Sequence, residues 1–225
     1  MTVYDVIYYL ILCSGIAIGL YKSGRLLLPA QLLWLLLAFI TVKELVALYY
    51  SHTHGSNLRF YQYLSPADFL WTAGVFFTLP LMIRYRSLII SLSLLVFLFY
   101  LANLLFLEIP GKGADANFKL VRSSVLVFFS LLLFGRLIDT VSNRPLYKKS
   151  EFWIAVGIIF FYLFNIFYWG CYNFLLKHPN KPFQSLLRQL FIYANYLLYL
   201  SYGLAVYLNH LDVVSAKISH SHDRR

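Results

Sequence analysis

Charge is scarce in this chain. Lys, Arg, Asp and Glu make up 12% of its 225 residues, where a soluble domain carries about 25%. Hydrophobic residues reach 60% and the mean hydropathy is +0.69. A water-facing fold of this size cannot hide so much apolar surface, so the expected solvent for most of the chain is lipid. Acidic residues are scarcest, 9 against 19 Lys and Arg, for a net charge of +10. A basic excess is ordinary in a membrane protein, whose cytoplasmic loops collect Lys and Arg, and no nucleic acid partner is expected from it. Cysteine is nearly absent. Cys13 and Cys171 lie in apolar runs, which argues against a disulfide framework or a thiolate zinc site and leaves them as small packing residues.

The motifs of common chemistry are missing as well. There is no Walker A sequence, no G-x-G-x-x-G followed by an acidic residue, and no H-E-x-x-H. The six histidines lie in connections or near the end of the chain, and the H-x-H pairs of "SHTH" (51–54) and "SHSH" (219–222) read as polar segments. No metal, no cofactor and no enzymatic activity is expected. The last apolar run contains no Lys, so a retinal Schiff base is excluded. The first run, Val3 to Leu20, has no basic segment before it and no A-x-A-like site after it, and is read as a retained helix rather than a cleaved signal.

What is present is hydrophobic length. A spanning helix needs about 20 mostly apolar residues, and seven runs qualify: 3–21, 26–50, 67–84, 87–108, 119–138, 152–176 and 185–208. The breaks between them hold Gly, Pro, Asn and Ser, and Pro80 is expected to kink the third run near its end. The expected fold is all-α: a seven-transmembrane-helix domain over 1–208 and a short polar cytoplasmic tail over 209–225. Between the two sides, and leaving out Lys43 as intramembrane, Lys and Arg divide 11 to 7, the larger share being with the first, third and fifth connections and the tail. The positive-inside rule then puts the N-terminus outside, the C-terminus in the cytoplasm, and the protein in the inner membrane as a multi-pass chain.

The 25-residue second run ends in "FITVKELVALYY" (39–50), with Lys43 and Glu44 side by side. A charge at the centre of a membrane helix costs about 2.5–3.5 kcal/mol on insertion scales. Glu44 lies about 27 Å along its helix from Leu26, in the outer third. Asp68, Glu108, Arg122 and Arg188 fall at the same depth in their own runs, as does Lys43. Lys43 has a stem long enough to snorkel outward, and Asp68 and Glu108 read equally well as solvated helix ends. Glu44 is too short to snorkel and is expected to face inward and pair with Arg122 or Arg188. Tyr61 belongs to the same level, within a band of Tyr and Trp that also reads as an interfacial belt. An echo in "FYLANLLF", "FYLFNIFYW" and "IYANYLLYLSYG" sets Asn103, Asn165 and Asn195 just after a Tyr. Such Asn side chains read as interhelical glue or as the lining of a polar pocket. The inner halves of the runs are Leu, Ile, Phe and Val, so the pattern is a cup and not a pore.

The Glu of "KELVALYY", the segment "SNLRFYQYLSPADF" with Asn57 and Tyr61, and "NRPLYKKSEFWIAVGIIFFY" with Pro145, Phe152 and Trp153 resemble a group of small seven-helix membrane proteins of Bacteroidota type. The resemblance implies a seven-helix fold over most of the chain. It carries over no functional residue. By lacking catalytic motifs, such proteins look like membrane sensor partners.

Three functions compete on this reading. The first is a receptor-like sensor, with an outward-facing pocket of Glu44, Arg122, Arg188, Asp68, Glu108, Tyr61, Asn103, Asn165 and Asn195. It would signal to a cytoplasmic or membrane partner such as a histidine kinase. The second is a small solute transporter in which helices 1–3 and 5–7 form parallel repeats around helix 4. The third is a membrane-embedded lipid or isoprenoid enzyme.

Overall fold

The computed structural model describes residues 3–22, 24, 26–107, 115–140, 144–177 and 181–222. Among these the chain is entirely helical. It forms α1 (Val3–Lys22), α2 (Leu28–His54), α3 (Leu58–Thr78), α4 (Arg86–Ala102), α5 (Ala116–Asp139), α6 (Ser150–Lys177) and α7 (Lys181–His222). Short 3-10 turns cover Pro80–Tyr85 and Leu146–Lys148, and a π turn, Asn103–Leu107, closes α4. Five of the helical stretches are long and apolar enough to cross a membrane: Leu28–His54, Pro80–Phe106, Ala116–Asp139, Ser150–Cys171 and Lys181–Asn209.

Three boundaries differ from expectation. Residues 58–66 were expected in a connection, as part of the break 51–66 with its Gly, Pro, Asn and Ser, but they form the first turns of α3. Gln62 and Ser65 are buried inside the bundle, so their polarity serves an interior and not a loop. The actual turn is compressed into Gly55–Asn57. Gly55 ends α2 with φ 72°, the left-handed conformation that glycine adopts without steric cost. The kink expected at Pro80 is a full stop. Leu79 is extended (φ −65°, ψ 128°), as a residue before proline prefers, and the chain passes through the 3-10 turn straight into α4. At the other end, residues 209–222 continue α7 as helix, where a polar tail was expected. Residues 223–225 lie outside the described residues.

Packing arranges six helices in a closed ring, α1–α2–α3–α5–α6–α7, with α7 against α1. α4 lies against α3 and α5. Indoles join neighbours: Trp34 Nε1 donates to the Ile16 carbonyl (3.1 Å) and Trp71 Nε1 to that of Leu32 (2.9 Å), giving each ring N–H the partner a sequestered indole requires. Small residues bring helices close. A methyl group at Gly157 of α6 would lie 2.6 Å from Cβ of Ser201 on α7. Large apolar side chains also cover the exterior, among them Leu94, Leu95 and Leu98 on α4 and Leu163 and Phe167 on α6. An apolar outer surface on helices of spanning length fits a bilayer and not water.

Candidate functional site: a tyrosine-rich cavity in the ring

Pro66 shows how the ring makes a polar interior. It has no N–H for the Gln62 carbonyl one turn back, and Tyr100 of α4 approaches that carbonyl with its hydroxyl at 3.5 Å. One residue earlier, the Ser65 carbonyl and hydroxyl accept Nη1 of Arg122 from α5, at 3.0 and 2.8 Å. On α3, Tyr61, Ser65, Asp68 and Thr72 recur at i, i+4, i+7 and i+11, which sets all four on one face. On α7, Asn195, Tyr199 and Tyr202 do the same, as do Tyr162, Asn165 and Trp169 on α6. These faces, with parts of α1, α2 and α5, surround a cavity of about 580 Å³. That volume is typical of small-molecule sites, about 300–1,000 Å³. Eight tyrosines line it: Tyr4, Tyr8, Tyr9, Tyr61, Tyr162, Tyr196, Tyr199 and Tyr202. No residue of α4 does.

The cavity sits at one end of the bundle. Most of its residues come from the first half of α1, α3, α5 and α7 and the second half of α2 and α6, with Leu36, Ile40, Thr72, Phe161, Tyr162 and Tyr202 reaching to or past mid-helix, which places it toward one end of an alternating up-and-down ring. Further along the same helices, Leu33, Phe76, Phe129, Leu133, Ile158 and Val206 are fully buried in one apolar core. The cavity therefore lies toward one end of the ring, and apolar side chains pack the helices toward the other.

Two ion pairs lie at the cavity. Lys43 Nζ lies 2.6 Å from Asp68 Oδ2 and 5.8 Å from the Tyr61 ring centre. Lys119 Nζ is 2.6 Å from Asp115 Oδ1 and 3.9 Å above the Trp169 ring. The Tyr61 hydroxyl donates to Glu44 Oε2 at 2.6 Å. Trp169 Nε1 donates to Asn165 Oδ1 at 3.0 Å, and Asn195 Nδ2 donates to the Phe191 carbonyl within its own helix, at 2.9 Å.

Of the residues singled out from the sequence, Glu44, Asp68, Tyr61, Arg122, Asn165 and Asn195 line this one cavity. Arg188 does not. It is exposed on α7. Asn103 is buried at the π turn after α4, outside the lining, and Glu108 lies outside the described residues. The expected ion pair of Glu44 with Arg122 or Arg188 is not formed. A tyrosine from α3 reaches Glu44 first, and Arg122 turns to Ser65. Lys43 does not snorkel outward and Asp68 is no solvated helix end: Lys43 is only 8% exposed and the two neutralise each other inside the bundle. Sequence reading did not single out Lys119 or the tyrosines of α1 and α7. The i, i+4 spacing of Tyr4 and Tyr8 and the stripe on α7 were the signals that mark them.

Among the described residues no group of three or more His, Cys, Asp and Glu is placed to hold a metal ion. No family model matches the chain, and no curated protein or solved structure does. The class defined by fold and site is an all-helical bundle, suited to a bilayer, with a one-ended polar cavity.

Proposed function

We propose that the protein is a receptor-like sensory protein of the inner membrane, in which all seven helices cross the bilayer. The N-terminus and the cavity mouth face outward and the C-terminus faces the cytoplasm. A small ligand enters the cavity, contacts several helices at once, and shifts them against one another. A cytoplasmic or membrane partner reads the change at the basic inner connections. The observation that carries this reading is the cavity's one-sidedness: polar, tyrosine-lined and six-helix-wide at one end, closed by apolar packing at the other. Binding there can bias the ring between two packings without giving the ligand a way through. The resemblance of "KELVALYY" and "SNLRFYQYLSPADF" to the small seven-helix group of Bacteroidota supports the seven-helix topology alone.

A transporter of the three-plus-one-plus-three kind is the second reading. One observation favours it: α1–α3 and α5–α7 build the ring, while α4 stands outside and contributes no residue to the cavity. The two readings part on flux. Purified protein in liposomes is screened for small solutes that bind, and any bound solute is followed across the bilayer. Binding without flux, lost in Glu44→Gln while the variant still inserts and melts cooperatively, is the expected result. Net flux of the bound solute overturns the sensor and promotes the transporter.

A further inference from the structure

Of the five charged residues lining the cavity, three are matched in ion pairs and two are not. Lys43 is matched by Asp68 and Lys119 by Asp115. Arg122 forms no ion pair. Its Nη1 is spent on the neutral carbonyl and hydroxyl of Ser65, and its Nε is buried without a hydrogen-bond partner. Glu44 forms no ion pair either. It accepts the Tyr61 hydroxyl, and the ammonium of the neighbouring Lys43 goes to Asp68. The site thus carries one cation and one anion outside any ion pair, on different walls: Arg122 on α5 and Glu44 on α2. Both are half-buried, and a charge drawn partly out of water without a counter-ion is costly.

A second, independent observation points to the same wall as Arg122. Asn165 is 1% exposed and lines the cavity. Its Oδ1 is taken by the Trp169 indole, and its Nδ2, a donor, has no partner. The α5–α6 wall therefore offers a guanidinium and a buried amide N–H, a donor set that fits a carboxylate, with its two oxygens and several lone pairs. The α2 wall offers a carboxylate beside tyrosine rings, Tyr8 and Tyr61 among them, which fits an ammonium group by charge and by the faces of the rings.

We infer that the cavity takes a small zwitterion, an amino-acid-like molecule whose carboxylate meets Arg122 and Asn165 and whose ammonium meets Glu44. The inference rests on the reading of the cavity as a ligand site. A purely anionic ligand satisfies Arg122 but leaves Glu44 uncompensated in the same space, and a purely cationic one does the reverse. A zwitterion satisfies both, and the tyrosine walls and the roughly 580 Å³ of space accommodate a side chain between them.

Matched sets of probes test this. Phenylalanine, 3-phenylpropionate and 2-phenylethylamine share a body and differ in charge. Glycine, acetate and methylamine do the same without a side chain. Binding to the purified full-length protein in nanodiscs is measured by calorimetry and by thermal shift. At least one of the two amino acids is expected to bind about ten- to a hundredfold tighter than either of its stripped analogues, the scale of a lost charge-assisted hydrogen bond. Arg122→Gln should abolish the advantage of the amino acid over the amine, with Arg122→Lys restoring part of it. Glu44→Gln, which keeps an acceptor for Tyr61, should abolish its advantage over the carboxylate. The inference is overturned if neither amino acid binds, or if a stripped analogue binds as well as its parent. The wild-type series alone decides this, should a variant fail to fold. Failure of the wider reading looks different: a zwitterion that binds and crosses the bilayer of liposomes ends the sensor and leaves the ligand class standing. A non-zwitterion that binds without crossing does the opposite.

Discussion

Lys43 has more to lose than any other side chain on α2. Its ammonium is buried in a bundle whose outer faces are apolar, and one oxygen of Asp68 neutralises it at 2.6 Å. A buried ion pair adds little net stability over a well-packed apolar pair, but removing one partner strands the other. Asp68→Asn should therefore destabilise the protein by about 3–5 kcal/mol, read as a lower unfolding midpoint in detergent. Adding Lys43→Met to Asp68→Asn should recover most of that loss. A double variant no more stable than Asp68→Asn alone would show that the carboxylate is not needed as a counter-ion. Glu44 is a different case at the same scale. The Tyr61 hydroxyl satisfies one of its oxygens without cancelling its charge, so the group stays available to something that enters the cavity.

Among the elements, α6 and α7 show what close packing requires. Gly157 and Ser201 meet where an added methyl group would come within 2.6 Å of the neighbouring Cβ, atoms that cannot swing aside. Gly157→Ala should then force the two helices apart and cost about 1–3 kcal/mol, as overpacking does. Gly74, also on a helix, has nothing within 4 Å of an added methyl group, so Gly74→Ala should leave the midpoint unchanged or raise it slightly. Thermal melts of the two variants, side by side, check the pair. Equal losses would mean that helix propensity and not the α6–α7 contact governs both positions. α3 shows how an element is misread. Its first turns are polar because they face a cavity, and a hydropathy profile cannot tell a polar interior from a loop. Even so, Asp68 reaches Lys43 and Tyr61 reaches Glu44 only because residues 58–78 are one continuous helix.

The whole molecule is a ring of six helices with α4 outside it. Five helical stretches have spanning length and apolarity by themselves. α1 and α3 complete the ring, and the proposed topology requires both to cross as well. A reporter fused after Arg225 should then report the cytoplasm, and one inserted after Gly113 the outside. Both reporters on one side would overturn the seven-crossing count. A transporter would show comparable losses from changes at both ends of the ring, whereas a sensor should lose binding only from changes at the cavity.

The amino-acid sequence by itself determined the class. Its apolar runs and the breaks between them set the helices, and the rise of about 1.5 Å per residue set the depth of each charge. Glu44, Asp68 and Arg122 could thus be grouped before any partner was known, and all three line one cavity. Tertiary structure decided who meets whom. In a bundle surrounded by lipid the outward and inward faces of a helix are both apolar, so the periodicity that orients a helix in water is weak, and rotation about each axis is left to packing. That rotation sends Arg122 to Ser65 rather than Glu44, leaves Arg188 exposed, and brings Asp68 from α3 to Lys43. It also assembles tyrosines from α1, α3, α6 and α7, up to 198 residues apart in the chain, into one wall. No local pattern encodes such a wall, because its members touch only after the ring has closed.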